Sequence, residues 1–303
     1  MRLVSAALVA LLVVGLSAQR QPPAPATADL VELDVVALDR DNQPLTDLRQ
    51  EELKVKEDGR SVELRTFANV TALGSMQPDD GRVVVLLLDD IGVPVTGTSP
   101  MQQIAPVVLA PMGYGDELSV VRLSSRVDEA FGDFNTARER IAGYRGGAVP
   151  FSLRDTPETV LKQIAKISRQ LESINHQRKV ILCLGLPSVC DVSEPALGGA
   201  SVMWPAWVAA ITGAARANVS VYCVDPTGTR SGVNVSESGL VQLTGGKIFA
   251  HENNFAPAGE VIWREAGHYY LIGYWPVASK RELHTIDVSV ARKGVHLLAR
   301  QRR

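Results

Sequence analysis

Cysteine is scarce and odd in number: Cys183, Cys190 and Cys223 are the only three in 303 residues. An odd count allows at most one intramolecular bridge. No CxxC spacing or His/Cys cluster is present to hold zinc. The histidines His176, His251, His268, His284 and His296 are scattered with no metal-ligand spacing, and His251 and His268 read as satisfied or exposed residues. Catalytic signatures are missing too. There is no G-x-S-x-G elbow and no H-E-x-x-H, and LTGGKI lacks both the leading glycine and the trailing Ser/Thr of a phosphate loop, which leaves Lys247 as a turn residue. Neither sign of charge dominates: 31 basic residues face 33 acidic ones, a formal net charge of −2. That balance gives no footprint for nucleic acid. The basic end Arg300-Gln301-Arg302-Arg303 reads as a solvated chain terminus. Past residue 18, no apolar run is long enough to span a bilayer.

What is present begins at the N-terminus. Met1-Arg2 supplies a positive start, and LVSAALVALLVVGL is a short apolar core ending at small residues, which predicts a signal peptide over 1–18 cut after Ala18. No cysteine stands near the cut to carry a lipid. QRQPPAPATA, covering 19–28, reads as an extended Pro/Ala-rich linker. A secreted or periplasmic protein with no transmembrane span in its mature chain is expected. The remainder, in a chain that is 46% hydrophobic and 21% charged, is rich enough in apolar residues for a sizeable core.

Two grammars alternate along that remainder. LVELDVVALDR switches apolar and polar like a half-buried strand, and LKVKEDGRSVELRTF reads as a hairpin about Asp58-Gly59. Residues 29–70 are therefore expected to form a small antiparallel unit. From Arg82 the strands become continuous apolar runs (VVVLLLD, ELSVVRL, KVILCLG, VSVYCVD), typical of strands covered on both faces. Helical patterns separate them, including PETVLKQIAKISRQLESI, with Val160, Ile164, Ile167, Leu171 and Ile174 three or four apart. Trp204 and Trp207, three apart on another helix, suit core or interface packing. This order predicts a doubly wound, mostly parallel α/β sheet over 82–267. After Gly267 the alternating strand pattern returns over 268–303, and these strands are expected to join 29–70 in one β-rich module around the inserted α/β domain.

Ligands of open α/β sheets bind at the carboxyl ends of the strands. The sequence places Asp89 and Asp90 there after the first strand, then Ser124 and Ser125, and then Asp133, Asn135 and Thr136. Gly185-Leu186-Pro187 with Asp191, and Asp225 before Pro226 and Thr227, follow the later strands. For Asp89 and Asp90 the reading from the residues alone is structural: a carboxylate there accepts backbone N–H groups from a neighbouring turn or helix N-terminus. Asp225 reads as a turn former.

At this point the chain resembles the von Willebrand factor A family, and in particular exported bacterial proteins of that type. The resemblance rests on LDRDNQPLTDLRQEELKVKEDGRSVELRTF, VVVLLLDD, GDELSVVRLSS, QRKVILCLG, LTGGKIFA and HYYLIGYWP, in that order. It implies a Rossmann-like A domain with a metal-ion-dependent adhesion site built from an Asp-x-Ser-x-Ser loop, a threonine and a further aspartate. Here the aspartate matches Asp89, while the two serine positions fall on Ile91 and Val93. The threonine position falls on Asn135, with Thr136 beside it, and the third-loop aspartate is replaced within Gly185-Leu186-Pro187. Mg²⁺ takes hard oxygen ligands in near-octahedral array, so the expected site is degenerate and metal-free. Mg²⁺, Mn²⁺ or Ca²⁺ would need Asp89 with Asn135 or Thr136 and a rearranged Asp90, Asp191 or Asp225. The family's strand order sets Cys183 beside Cys223, and Cys190 is the better bridge partner for either. The expected function is non-enzymatic binding of a protein or cell-surface ligand. The alternatives are a structural subunit of an envelope assembly, and a hydrolase using the strand-end carboxylates.

Overall fold

A computed structural model describes residues 30–71, 81–113, 115–125, 134–147, 156–174, 178–196, 198–230 and 239–303. The signal and linker segments, Asp133 and His176 lie outside the described residues.

The first four strands are β1 (Val31–Leu38), β2 (Leu53–Glu57), β3 (Arg60–Val62) and β4 (Leu64–Thr71). Asp58 and Gly59 link β2 to β3 with φ of 49° and 76°, the left-handed pair that a two-residue hairpin needs. An α/β stretch follows: β5 (Arg82–Leu88), α1 (Thr98–Leu109), β6 (Glu117–Arg122), α2 (Phe134–Ala142), α3 (Thr156–Leu171), β7 (Arg178–Leu184), the short α4 (Pro187–Cys190), α5 (Trp204–Ala217), β8 (Val219–Val224), the short α6 (Leu240–Leu243), β9 (Ile248–Phe249) and α7 (Ala256–Gly267). Strands β10 (His268–Tyr274), β11 (Ile286–Val290) and β12 (His296–Ala299) end the chain.

Strands β6-β5-β7-β8-β9 form one parallel sheet. Alternate residues of its strands supply two cores. Val83, Val85 and Leu87 face Val160, Ile164 and Trp207 on the α3/α5 side. Val84, Leu86 and Leu88 face Met101, Val108 and Ile262 on the α1/α7 side. Burial on both faces is why these strands read as unbroken apolar runs. Trp207 is fully buried, while Trp204 reaches Glu282 through its ring N–H at 2.9 Å. Helix α5 hands over to β8 through one residue, Asn218, in the left-handed conformation.

The alternating segments at the two chain ends interleave. Strands β12-β1-β10-β4 make one antiparallel sheet and β11-β2-β3 another. Residues 30–71 are thus not a sheet of their own. Their strands divide between two sheets, each completed from the C-terminal segment, with Leu33, Val35, Leu53, Val55, Tyr270 and Ile286 packed in the core between them. The side-chain period tells which face of a strand is buried, but not which partner completes its ladder.

Candidate functional site

The order of the parallel sheet reverses at β5, which has β6 on one side and β7 on the other. The carboxyl ends of β5 and β7 therefore frame the crevice where such sheets bind ligands. Asp89 sits there, fully buried, and both carboxylate oxygens are occupied from within. Oδ1 accepts the backbone N–H groups of Ile91 (3.2 Å) and Gly92 (2.7 Å), and Oδ2 accepts that of Leu186 (3.2 Å). Burial raises the Asp89 pKa above the usual carboxylate value, and the three N–H bonds pull it back only in part.

The loop after β7 comes this close because position 185 is glycine. A Cβ there would lie 2.3 Å from the Cβ of Asp89 and 3.0 Å from the sulfur of Cys190. A disulfide between Cys183 and Cys190 closes the same loop. Cys223 stays free and buried opposite Cys183 on β8, and burial pushes its thiol pKa well above the ordinary range.

Asp90 is equally buried and is committed elsewhere. Its Oδ1 accepts the N–H of Ser124 at 2.9 Å, and its Oδ2 accepts the Ser124 hydroxyl. Asp225 closes a turn, taking the N–H and hydroxyl of Thr227 at 2.8 and 2.7 Å on Oδ1, while its buried Oδ2 has no partner among the described residues. Asp191 accepts the N–H of Val241 at 2.9 Å and has its pKa raised by burial. Asn135 is exposed in the first turn of α2, and Thr136 follows it, half-buried.

The strand-end residues are thus brought to one edge but are not gathered around one point. Among the described residues, no three His, Cys, Asp or Glu side chains are placed to hold a metal ion. The chain around Asp89 does not fit an oxygen-coordinated cation. Its lone pairs are directed at backbone N–H groups, Val93 is buried as a core residue, and Ile91 packs against the other core.

Sequence reasoning missed Tyr144, whose buried hydroxyl donates to the Asp89 carbonyl at 2.7 Å. Its only local mark is the Gly143-Tyr144 pair ending a helical pattern. Two structural readings also need correction. Lys247 is more than a turn residue, since its ammonium pairs with the buried Glu265 at 2.7 Å. His268 is half-buried, and its buried Nδ1 has no hydrogen-bond partner among the described residues.

No protein-family model matches the sequence, and a search of curated proteins finds no match. Solved structures with partial likeness include the manganese-loaded TRAP protein of Plasmodium vivax, at 7% identity and TM-score 0.41, over 79% of this chain and 98% of that one. A single-residue mutant of the PilB minor pilin from Streptococcus sanguinis overlaps at 10% identity and TM-score 0.37, over 61% of this chain and 62% of that one. The N-terminal domain of TFIIH p34 overlaps at 13% identity and TM-score 0.32, over 62% and 99%. At these scores the overlaps carry nothing from those proteins to this chain. The class that stands is an α/β protein with a five-stranded parallel sheet and two antiparallel sheets beside it.

Proposed function

We propose that this chain is an exported, non-enzymatic binding protein of von Willebrand factor A type whose ligand edge engages a protein partner without a bridging cation. The observation that carries the reading is Asp89. Its two oxygens accept three backbone N–H groups, in a loop where the family's hydroxyl ligands are replaced by Ile91 and Val93. A cation there would have to displace those bonds and keep most of its own water.

Apolar exposure favours direct contact with a partner. Val95 follows β5 and is 68% exposed, and Val202, ahead of α5, is 96% exposed. Both lie on connections that leave the carboxyl ends of parallel strands. The disulfide is in keeping with an oxidising compartment. Among the described residues no helix is long and apolar enough to cross a membrane.

Calorimetry of the purified chain with Mg²⁺, Mn²⁺ and Ca²⁺, run beside a pull-down from envelope extract with and without chelator, is the test. The expected outcome is no stoichiometric heat and capture that chelator does not change. Tight cation binding abolished by Asp89→Ala would sink the reading.

A further inference from the structure

The opposite, amino end of the parallel sheet meets the four-stranded antiparallel sheet, and this seam is cationic. Arg178 and Lys179 open β7 and Arg300 follows β12; all three are buried, as is Asp34 of β1. Asp34 is a buried carboxylate at this seam, and of the three cations Arg178 is the one that pairs with it. Its Oδ2 is bound by Arg178 and its Oδ1 by the Asn218 amide at 2.7 Å. Arg300 has no carboxylate partner among the described residues. It donates to the carbonyls of Ala215 (2.9 Å) and Glu32 (2.8 Å) and to the Asn218 side-chain oxygen (3.2 Å), and burial pushes its pKa down to about 10. The Nε groups of Arg178 and Arg300 have no acceptor among the described residues. Buried guanidinium donors are thus left unused at the seam, an arrangement that costs free energy unless an acceptor completes it.

A cavity of about 350 Å³ opens at this seam, with Leu30, Asp34, Lys179, Asn218, Tyr269 and Leu271 in its wall. It is larger than the ~150 Å³ cavity that admits benzene. Two donors line it. The Lys179 ammonium meets only the Ala217 carbonyl, at 2.9 Å, among the described residues. The Tyr269 side chain is 4% exposed and lines the cavity, with its ring 5.2 Å from the Arg178 guanidinium. Two acidic residues, Glu32 and Glu172, also line the cavity and are exposed, and Glu172 pairs with Arg216 at 3.4 Å.

We propose that this cavity is a binding site for a small-molecule oxyanion, a carboxylate or a phosphate, whose oxygens accept from the Lys179 ammonium and the Tyr269 hydroxyl. Charge-assisted bonds of this kind are the strong ones, and Arg300 behind the wall adds a favourable field, while the charge of Arg178 is offset by Asp34. The exposed Glu32 and Glu172 turn away polyanions, so a small ligand of low charge is selected. The site lies at the other end of the sheet from the partner edge and stands or falls independently of it.

Thermal unfolding and calorimetry of the full chain in sodium phosphate, sodium acetate and sodium chloride at matched ionic strength test the proposal. Saturable stabilisation by phosphate or acetate, but not by chloride, is expected, and the better of the two names the ligand's headgroup. Lys179→Met should weaken that binding about tenfold or more, as loss of a charge-assisted bond does, and Tyr269→Phe should weaken it several-fold. Tyr269→Phe deletes one oxygen and keeps the ring against Arg178, so the test survives if Lys179→Met does not fold. No saturable response to either oxyanion, or an unchanged response in Tyr269→Phe, would overturn the assignment.

Discussion

The two ends of the parallel sheet solve opposite electrostatic problems by different means. At the carboxyl end, Asp89 and Asp90 are buried anions, and every one of their four oxygens is met by a backbone N–H or the Ser124 hydroxyl. At the amino end, Arg178, Lys179 and Arg300 are buried cations met by Asp34 and a few carbonyls, with two guanidinium Nε groups unmet among the described residues. The Asp89–Asp90 pair is complete in itself; the amino-end cluster is short of acceptors. A loop can wrap its own N–H groups round a carboxylate, because successive N–H groups near a strand end point inward together. Carbonyls do not converge round a guanidinium fork as readily, so the shortfall stays at the cationic end.

The largest expected effect of breaking this contrast lies at the amino end. Arg178→Met leaves Asp34 buried with only the Asn218 amide and removes the ring contact with Tyr269. Removing one member of a buried pair costs about 3–5 kcal/mol, and denaturant unfolding should show a loss of that size. The double change Arg178→Met with Asp34→Leu should recover part of it, because no uncompensated charge then remains. A double variant as unstable as the single one would show that the pair itself, not the orphaned charge, sets the cost.

The next effect is at the carboxyl end. The bridge from Cys183 to Cys190 spans a sequence separation of 7 and closes the loop that brings Leu186 to Asp89. Replacing both cysteines with alanine should cost about 2–3 kcal/mol from unfolded-chain entropy. It should also speed hydrogen exchange at Leu186, Ile91 and Gly92 beyond the rest of the sheet. Uniform loss of protection across β5 and β7 would mean that the bridge stabilises the sheet as a whole and not this loop.

The contrast also explains what was legible in the sequence. Strand-end carboxylates announce themselves: VVVLLLDD places Asp89 and Asp90 by the length of an apolar run, and Asp58-Gly59 places a hairpin by turn chemistry. The amino-end cluster leaves no such mark. Arg178 and Asp34 are 144 residues apart, and each opens or interrupts a strand like any flanking charge. Nothing in QRKVILCLG tells that its cations turn inward. In the same way, the alternation of β1 to β4 showed buried faces but not their division between two sheets. Tyr144 reached Asp89 through a tertiary contact across 55 residues, which no local pattern encodes. Local chemistry was readable wherever the answer was local.

The smallest effect is a slope, and its sign follows from burial. Asp89 and Asp191 both have pKa values raised in the folded protein, burial being the leading cause for each. Such a carboxyl keeps its proton in the native state after the unfolded chain has released it. The native state then binds more protons between the unfolded value, near about 4, and the raised folded value, so stability falls as pH climbs through that window. The contribution is fully present below the unfolded value and is gone above the folded one. An Asp89→Asn, Asp191→Asn double variant cannot ionise at either position. It loses acceptor strength toward Leu186 and Val241, but that cost does not change with pH. Urea midpoints measured from pH 3 to pH 7, a range chosen to bracket ordinary and raised carboxylates, should therefore shift in the variant's favour relative to wild type as pH rises. Parallel profiles would show that the backbone N–H groups fully offset burial, and that the carboxyl end is as comfortable ionised in the fold as it is in water.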